Sequence, residues 1–172
     1  FRKAFPAFFE RLMIAGFAAG VLHDDDFLPV LTPWLAAMGE SKSRGFRHTA
    51  SLALFALIQG LNDRAVNLTQ SLQASSKKEA PALQAKYDAV IALQSQIFSV
   101  SLHQRVKDIS PEIRTLAVQS LKQYFLTAPD IYVSNNFLRY LILAFHDKKA
   151  EIRFEALDFL VQALASLTTP PP

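Results

Sequence analysis

Cysteine is absent from this chain of 172 residues. Disulfides and thiolate-bound metals are therefore excluded, while the compartment stays open. Glycine is scarce at 5 residues, and no Gly-rich stretch of the kind that cradles a phosphate occurs. His48, His103 and His146 accompany no Ser or Cys nucleophile in a recognisable motif, and no two fall at the spacing of a zinc pair. The sequence thus points to no enzyme, no cofactor, no metal and no small-molecule substrate. Apolar runs stop short of the ~18 residues that a membrane span needs. Arg47 and His48 break the one before Leu61. No segment alternates apolar and polar residues as a half-buried strand would.

Three stretches imitate signals without their full chemistry. The opening FRKAFPAFFERLMIAGFAAG has the basic start and apolar middle of a signal peptide. Glu10 and Arg11 interrupt it, and Phe5, Phe8, Phe9 and Leu12 fall at helical spacing, so it reads as an amphipathic helix. His23, Asp24, Asp25 and Asp26 lack the spaced ligands and the glycine of a calcium loop. They read as a solvated run, with Asp26 able to cap a helix starting near Phe27. Asn67-Leu68-Thr69 fits the glycosylation pattern and, without a secretion signal, carries no weight.

Hydrophobic residues make up 51% of the chain, enough to build a substantial core. The chain begins at Phe1 rather than Met and stops in a Pro run, as a fragment of a longer protein would. Within it, KDISPEIRTLAVQSLKQYF (from Lys107) and HDKKAEIRFEALDFLVQAL (from His146) align without gaps. Asp108 matches Asp147, Arg114 matches Arg153 at a spacing of 39 residues, and Ala117 matches Ala156. A period near 40 with Asp, Arg six later and Ala three after that is the pattern of HEAT-type helical repeats. A weaker copy, SKSRGFRHTASLALFALIQGL, places Arg47 where Arg114 stands and Ser41 where the Asp would be. Ile113, Leu116, Ala117, Leu121 and Tyr124 form one apolar stripe, as do Ile152, Ala156, Phe159, Leu160, Ala163 and Leu167. Ser110-Pro111-Glu112 is a helix start.

The expected architecture is all-α: a HEAT-like α-solenoid of antiparallel helix pairs in a right-handed superhelical array. Residues 1–22 give an opening helix, 27–72 a first pair, 73–84 a flexible loop, 80–126 a second pair, 134–167 a third, and 168–172 a Pro-rich tail. Asp108, Arg114, Asp147 and Arg153 are expected to form a structural ladder, an Asp in one repeat's turn reaching the Arg of its neighbour.

Net charge is +3 and the isoelectric point is near 9.3, mildly basic. Basic residues gather at the helix start and at the turns: Arg2, Lys3 and Arg11; Lys42, Arg44 and Arg47; Arg105 and Lys107; Lys148 and Lys149. On spacing alone these are equally a discontinuous phosphate track or the solvated rim of any helical array.

Several strings then add up to a family. Ser43, Arg44, Phe46, Arg47, His48, Thr49, Leu52 and Ala53, followed by Asn67 and Leu68, resemble a segment of the stromal antigen (stromalin) subunits of cohesin. The opening helix is similar to that family's as well. IFSVSLHQRVKDISPEIRTLAVQSL and NNFLRYLILAFHDKKAEIRFEAL resemble its conservative domain. The resemblance implies a nuclear, chromosome-associated, non-enzymatic scaffold. Such a subunit clamps the kleisin chain of cohesin and contacts double-stranded DNA without reading bases, in chromatin loading and sister-chromatid cohesion. Arg2 and Lys3 fall on the family's DNA-contacting helix start. Charge extends the expected set to Lys42, Arg44, Arg105 and Lys107.

The resemblance also implies a groove for regulator peptides at Val106, Asn135, Leu138, Arg139 and Leu143. Leu138 is kept and Arg139 keeps a charge. Val106 and Leu143 stand where the family has Tyr and Trp, which removes two anchors of the kind that dominate hot spots. The rival reading is therefore a peptide-binding HEAT adaptor with no nucleic-acid role.

Overall fold

The computed structural model describes residues 3–23, 27–133 and 138–168. Its chain divides into two compact units, Phe1–Ser101 and Leu102–Pro172. Among the described residues there is no strand, and no helix is long and apolar enough to cross a membrane. Arg2, Asp24, Asp25, Asp26 and Asn135 lie outside the described residues, as do the side chains of His23, Leu138 and Leu167.

The first unit is organised around one long helix. It contains α1 (Ala4–Ala19), a short 3-10 turn (Val21–His23), α2 (Phe27–Gly39), α3 (Arg44–Ala74) and α4 (Ala80–Val100). Helices α1, α2 and α4 all pack on α3. The sequence of α3 explains this: every residue from Ala50 to Ile58 is buried, so the helix is wrapped on all sides rather than along one stripe. Small residues let its neighbours approach closely. A Cβ placed on Gly60 would lie 2.6 Å from the Met13 Cβ on α1. Asn62 and Gln94 form a buried polar tie between α3 and α4, Gln94 Nε2 donating to Asn62 Oδ1 at 3.4 Å. Gly20 ends α1 with φ of 80°, a left-handed cap that only glycine adopts without strain.

Along α1 the inward face is a subset of the expected stripe. Phe9 and Met13 are buried and Phe5 and Leu12 half-buried, whereas Phe8 turns to solvent and meets Phe9 edge-on. The expected loop over 73–84 is mostly helix, leaving a connection of residues 75–79. Ser76 and Glu79 explain the shortening. The Ser76 N–H and Oγ–H both donate to Glu79 Oε2, at 3.3 and 2.8 Å, the Glu79 N–H donates to the Ser76 carbonyl at 3.0 Å, and Pro81 fits the first turn of α4. These hydrogen bonds hold the Glu79 carboxyl below its ordinary pKa. The long gap between Arg47 and Arg114 is taken up by helix length, 31 residues in α3 and 21 in α4.

The second unit contains α5 (Leu102–Arg105), α6 (Pro111–Thr127), α7 (Pro129–Val133), α8 (Leu138–Phe145) and α9 (Ala150–Thr168). Helix α6 packs beside α9, α8 packs on α9, and α7 packs on α6. The repeat appears in the burial pattern: Ile113 and Ile152, and Ala117 and Ala156, are all sealed from solvent. Tyr124 stacks on Tyr132 at 5.8 Å, and Phe125 meets Phe159 edge-on at 5.7 Å. The segment expected as the second pair, 80–126, is divided: α4 packs on α3 in the first unit, and α6 belongs to the second. The expected third pair is the α8–α9 hairpin.

Candidate functional site: the repeat joint and its cleft

One local device recurs at the start of α3, α6 and α9. Ahead of each helix, a turn residue accepts the N–H two positions on. Asp108 Oδ1 takes Ser110 N–H at 2.8 Å, Asp147 Oδ1 takes Lys149 N–H at 2.8 Å, and Ser41 Oγ takes Ser43 N–H at 3.1 Å. An arginine six residues after that turn residue then clasps its carbonyl. Arg114 Nη1 donates to Asp108 O at 2.8 Å, Arg153 Nη1 to Asp147 O at 2.8 Å, and Arg47 Nη1 to Ser41 O at 3.1 Å. Each clasp also reaches the next carbonyl, of Ile109, Lys148 and Lys42. Carbonyls left over by the turn thus find donors, and the N–H groups at the helix start find acceptors. Ser110, at the start of α6, makes no side-chain cap hydrogen bond, and its own N–H is held by Asp108.

Arg114 also reaches outward. Its Nε donates to Asp147 Oδ2 at 2.6 Å and its Nη2 to Asp147 Oδ1 at 2.9 Å, a bidentate bridge between successive repeats. Side-chain exposure is 15% for Arg114 and 9% for Asp147, so solvent screens the pair weakly. Asp108 is neutralised from another direction, by Arg105 Nη1 at 2.9 Å. A parallel seam joins α6 to α9 further along. Lys122 Nζ reaches Asp158 at 2.6 Å and Glu155 at 3.6 Å, and Gln119 donates to Glu155.

The hydrogen bonds from Arg114 hold the Asp147 carboxyl below its ordinary pKa, with lesser help from the Lys149 N–H and the nearby guanidiniums. A carboxyl depressed by folding stabilises the fold at pH above its unfolded pKa of about 3.9, and the contribution is lost as pH falls through the lower folded value. The stability gap between the wild-type chain and Asp147→Asn is therefore expected to be constant above about pH 5 and to narrow below about pH 4. Paired thermal melts from neutral to acid pH check this. A gap that widens in acid would contradict the assignment.

Beside the joint lies an open cleft of about 550 Å³. Val106, Ile109, Pro111 and Leu143 supply its apolar lining, and Lys107, His146, Lys148 and Lys149 its basic edge. Among the described residues, Lys107, Lys148 and Lys149 have no carboxylate within ion-pairing distance, whereas Asp108 and Asp147 are already engaged by arginines. The cleft is thus apolar and net cationic, suited to an acidic segment with an apolar anchor.

The residues expected to serve partners separate. Lys42 and Arg44 are exposed together at the start of α3, and Lys3 is exposed ahead of α1. Lys107 is exposed at the cleft. Arg105 is a correction. It is 7% exposed, and its guanidinium is spent on Asp108 and on Gln104 Oε1, so reaching a phosphate would strip a buried carboxylate of its partner. Of the expected groove, Val106 and Leu143 do line the cleft. The Arg139 side chain instead lies on the Tyr140 ring at 4.7 Å and donates to its hydroxyl at 2.6 Å. Sequence reasoning missed Ile109, an apolar residue 85% exposed on the cleft, and did not place Lys148 and Lys149 there. The repeat alignment held the signal: turns one period apart share an edge, so residues flanking Asp108 and Asp147 face one another.

Residues 1–95 match the STAG domain and residues 107–169 the stromalin conservative domain. The chain is 27% identical to cohesin subunit scc-3 of Caenorhabditis elegans over 177 residues, covering 89% of this chain and 16% of that protein. It is 24% identical to cohesin subunit SA-1 of Xenopus laevis, covering 94% of this chain and 14% of that one. Among solved structures, cohesin subunit Scc3 from Z. rouxii superposes with a TM-score of 0.74 at 20% identity, over 95% of this chain and 21% of that one. That likeness carries the HEAT-like solenoid fold. With both domains present in order along one chain, the protein belongs to the stromalin (STAG) family of cohesin subunits.

Proposed function

We propose that this chain is the part of a cohesin scaffold subunit that holds the kleisin chain and neutralises DNA backbone phosphates, serving sister-chromatid cohesion on chromosomes in the nucleus. The observation that carries this reading is the ordered match to the STAG and stromalin conservative domains across most of the chain. The chain spans only 14–16% of the curated relatives named above, and their names describe them as cohesin subunits. The joint geometry supports a scaffold rather than a catalyst. Its best-aligned charged groups, Asp108, Arg114, Asp147 and Arg153, are consumed in capping, clasping and bridging. The proposed mechanism is counterion release at Lys3, Lys42, Arg44 and Lys107, with Arg105 removed from the set and Arg2 retained from its charge alone.

A salt titration of duplex binding tests it. Reversing Lys42 and Arg44 together is expected to reduce the slope of log affinity against log salt by about 1.8, since each neutralised phosphate contributes roughly 0.9. An unchanged slope would remove those residues from the interface. The second reading, a peptide adaptor, is favoured by one observation: the net-cationic apolar cleft. An acidic peptide that binds wild-type protein without displacing duplex, and is lost with Lys148→Glu while duplex binding persists, would assign the cleft to peptide. Duplex binding that falls with Lys148→Glu would assign it to DNA.

A further inference from the structure

Taking Lys42 and Arg44 as phosphate contacts, the reading on which this rests, we propose that Ser41 is the residue that reserves them for DNA. It supplies the acceptor that the turn before α3 needs without supplying a charge. At the two sister turns the same acceptor is a carboxylate. Asp108 Oδ1 takes the Ser110 N–H and Asp147 Oδ1 the Lys149 N–H, both at 2.8 Å, where Ser41 Oγ takes the Ser43 N–H at 3.1 Å. Each carboxylate has a second oxygen, and each commits an arginine to it. Arg105 donates to Asp108 Oδ2 at 2.9 Å, and Arg114 to Asp147 Oδ2 at 2.6 Å. A hydroxyl in that position calls on no cation.

The rest of the device is intact at the α3 turn. Arg47 Nη1 donates to the carbonyls of Ser41 at 3.1 Å and Lys42 at 2.9 Å from a position only 7% exposed. The backbone on either side of Lys42 is therefore tied to the buried base of the helix, while the Lys42 side chain is exposed. Among the described residues Lys42 has no carboxylate within ion-pairing distance. Glu40, the preceding residue, is exposed at the end of α2, and among the described residues no hydrogen bond fixes its carboxylate on the turn. Solvent and salt screen such a charge far more than one held against the helix start. The local sequence also shows what an acid at position 41 would recruit. Three residues before Asp108 stands Arg105, and three before Ser41 stands Met38. With no arginine on that side, the cations left within local reach of the second oxygen are Lys42 and Arg44. The Ser41 hydroxyl thus keeps the fold of a repeat joint and leaves its cations to a ligand.

Ser41→Asp separates the two roles of this position. Its Oδ1 is expected to take the Ser43 N–H as Asp108 and Asp147 take theirs, so the full chain is expected to melt at or above the wild-type temperature. Binding of a short duplex at low salt is expected to weaken by about fivefold, and the slope of log affinity against log salt to fall by up to about 0.9, one phosphate contact. Ser41→Asn offers an uncharged acceptor of the same shape and is expected to match wild type in melting and in binding. Gln96→Glu, exposed on α4, makes the same change of net charge away from the turn and is expected to leave affinity within about twofold. Unchanged binding by Ser41→Asp, in a chain whose slope does fall when Lys42 and Arg44 are reversed, would overturn the role of Ser41. A slope that neither change moves would overturn the reading of this turn as a DNA contact. Equal weakening by Gln96→Glu would trace the effect to net charge, and equal weakening by Ser41→Asn to shape; either would sink the proposal. A lower melting temperature for both Ser41→Asp and Ser41→Asn would show that the three turns are not equivalent, which also overturns it.

Discussion

Replacing Arg114 with alanine is expected to destabilise the second unit by about 2–4 kcal/mol, because it strands a weakly exposed carboxylate and frees two carbonyls. In a unit of this size that corresponds to roughly 10–20 °C in Tm. The magnitude follows from the geometry. Arg114 makes two bonds to Asp147 and two to the carbonyls of Asp108 and Ile109, and neither charged side chain is more than 15% exposed. An exposed ion pair would contribute less than about 1 kcal/mol, so burial decides the size. Arg114→Lys keeps the charge but loses the fork, and is expected to recover less than half of the loss. Asp147→Asn leaves the carbonyl clasp in place, so it is expected to cost less than Arg114→Ala. A double-mutant cycle between the two positions isolates the bridge. Lys107→Glu is the control: its side chain has no ion-pair partner among the described residues, and stability is expected to stay within about 0.5 kcal/mol of wild type. An Arg114→Ala protein with an unchanged melting profile would show that the joint does not hold the repeats together.

The charged turn also shows how far the sequence could be read. Asp and Arg recurring at a fixed spacing identified the repeat, and the six-residue interval between them is the span of the carbonyl clasp. The partner of each charge was less legible. Asp108 is near Arg114 in sequence, yet its carboxylate takes Arg105, and Arg114 takes Asp147 from the next turn. Both choices depend on how α6 and α9 lie side by side, which local spacing does not encode. The same limit explains Arg105. Next to Lys107 in a basic cluster it resembled a surface residue, but Leu102 and Arg105 share the buried side of the short helix α5. Helix membership was also underdetermined. Helix α4 precedes α6 in the chain, yet it packs on α3, whose apolar circumference offers a face to α4 as well as to α1 and α2. The cleft was partly legible through Val106 and Leu143. Its basic edge was not, because Lys148 and Lys149 become neighbours of Lys107 only when two turns are brought together.

Gly60→Val is expected to be among the most destabilising single substitutions in the first unit, at about 3 kcal/mol or more, because it forces two helices apart. Glycine inside a helix ordinarily costs about 1 kcal/mol relative to alanine, so a gain would be expected from filling such a site if space allowed. Here it does not. The new Cβ would stand 2.6 Å from the Met13 Cβ and 2.7 Å from its Cγ. A flexible side chain could swing its far end aside, but a Cβ moves only with the backbone that carries it. Helix α1 must therefore shift from α3, and Met13, which has no exposure at all, loses its packing. Alanine at position 60 sets the propensity gain against the same clash, and a net loss of about 1–2 kcal/mol is expected. The origin of the loss is separable by rescue. Met13→Ala removes the Cγ contact but keeps the Cβ and is expected to relieve Gly60→Ala only in part, whereas Met13→Gly removes both and should make the pair less destabilising than the sum of its parts. Urea denaturation of the single and paired variants gives the coupling. Simple additivity in the Met13→Gly pair would mean that α1 and α3 do not meet at this point.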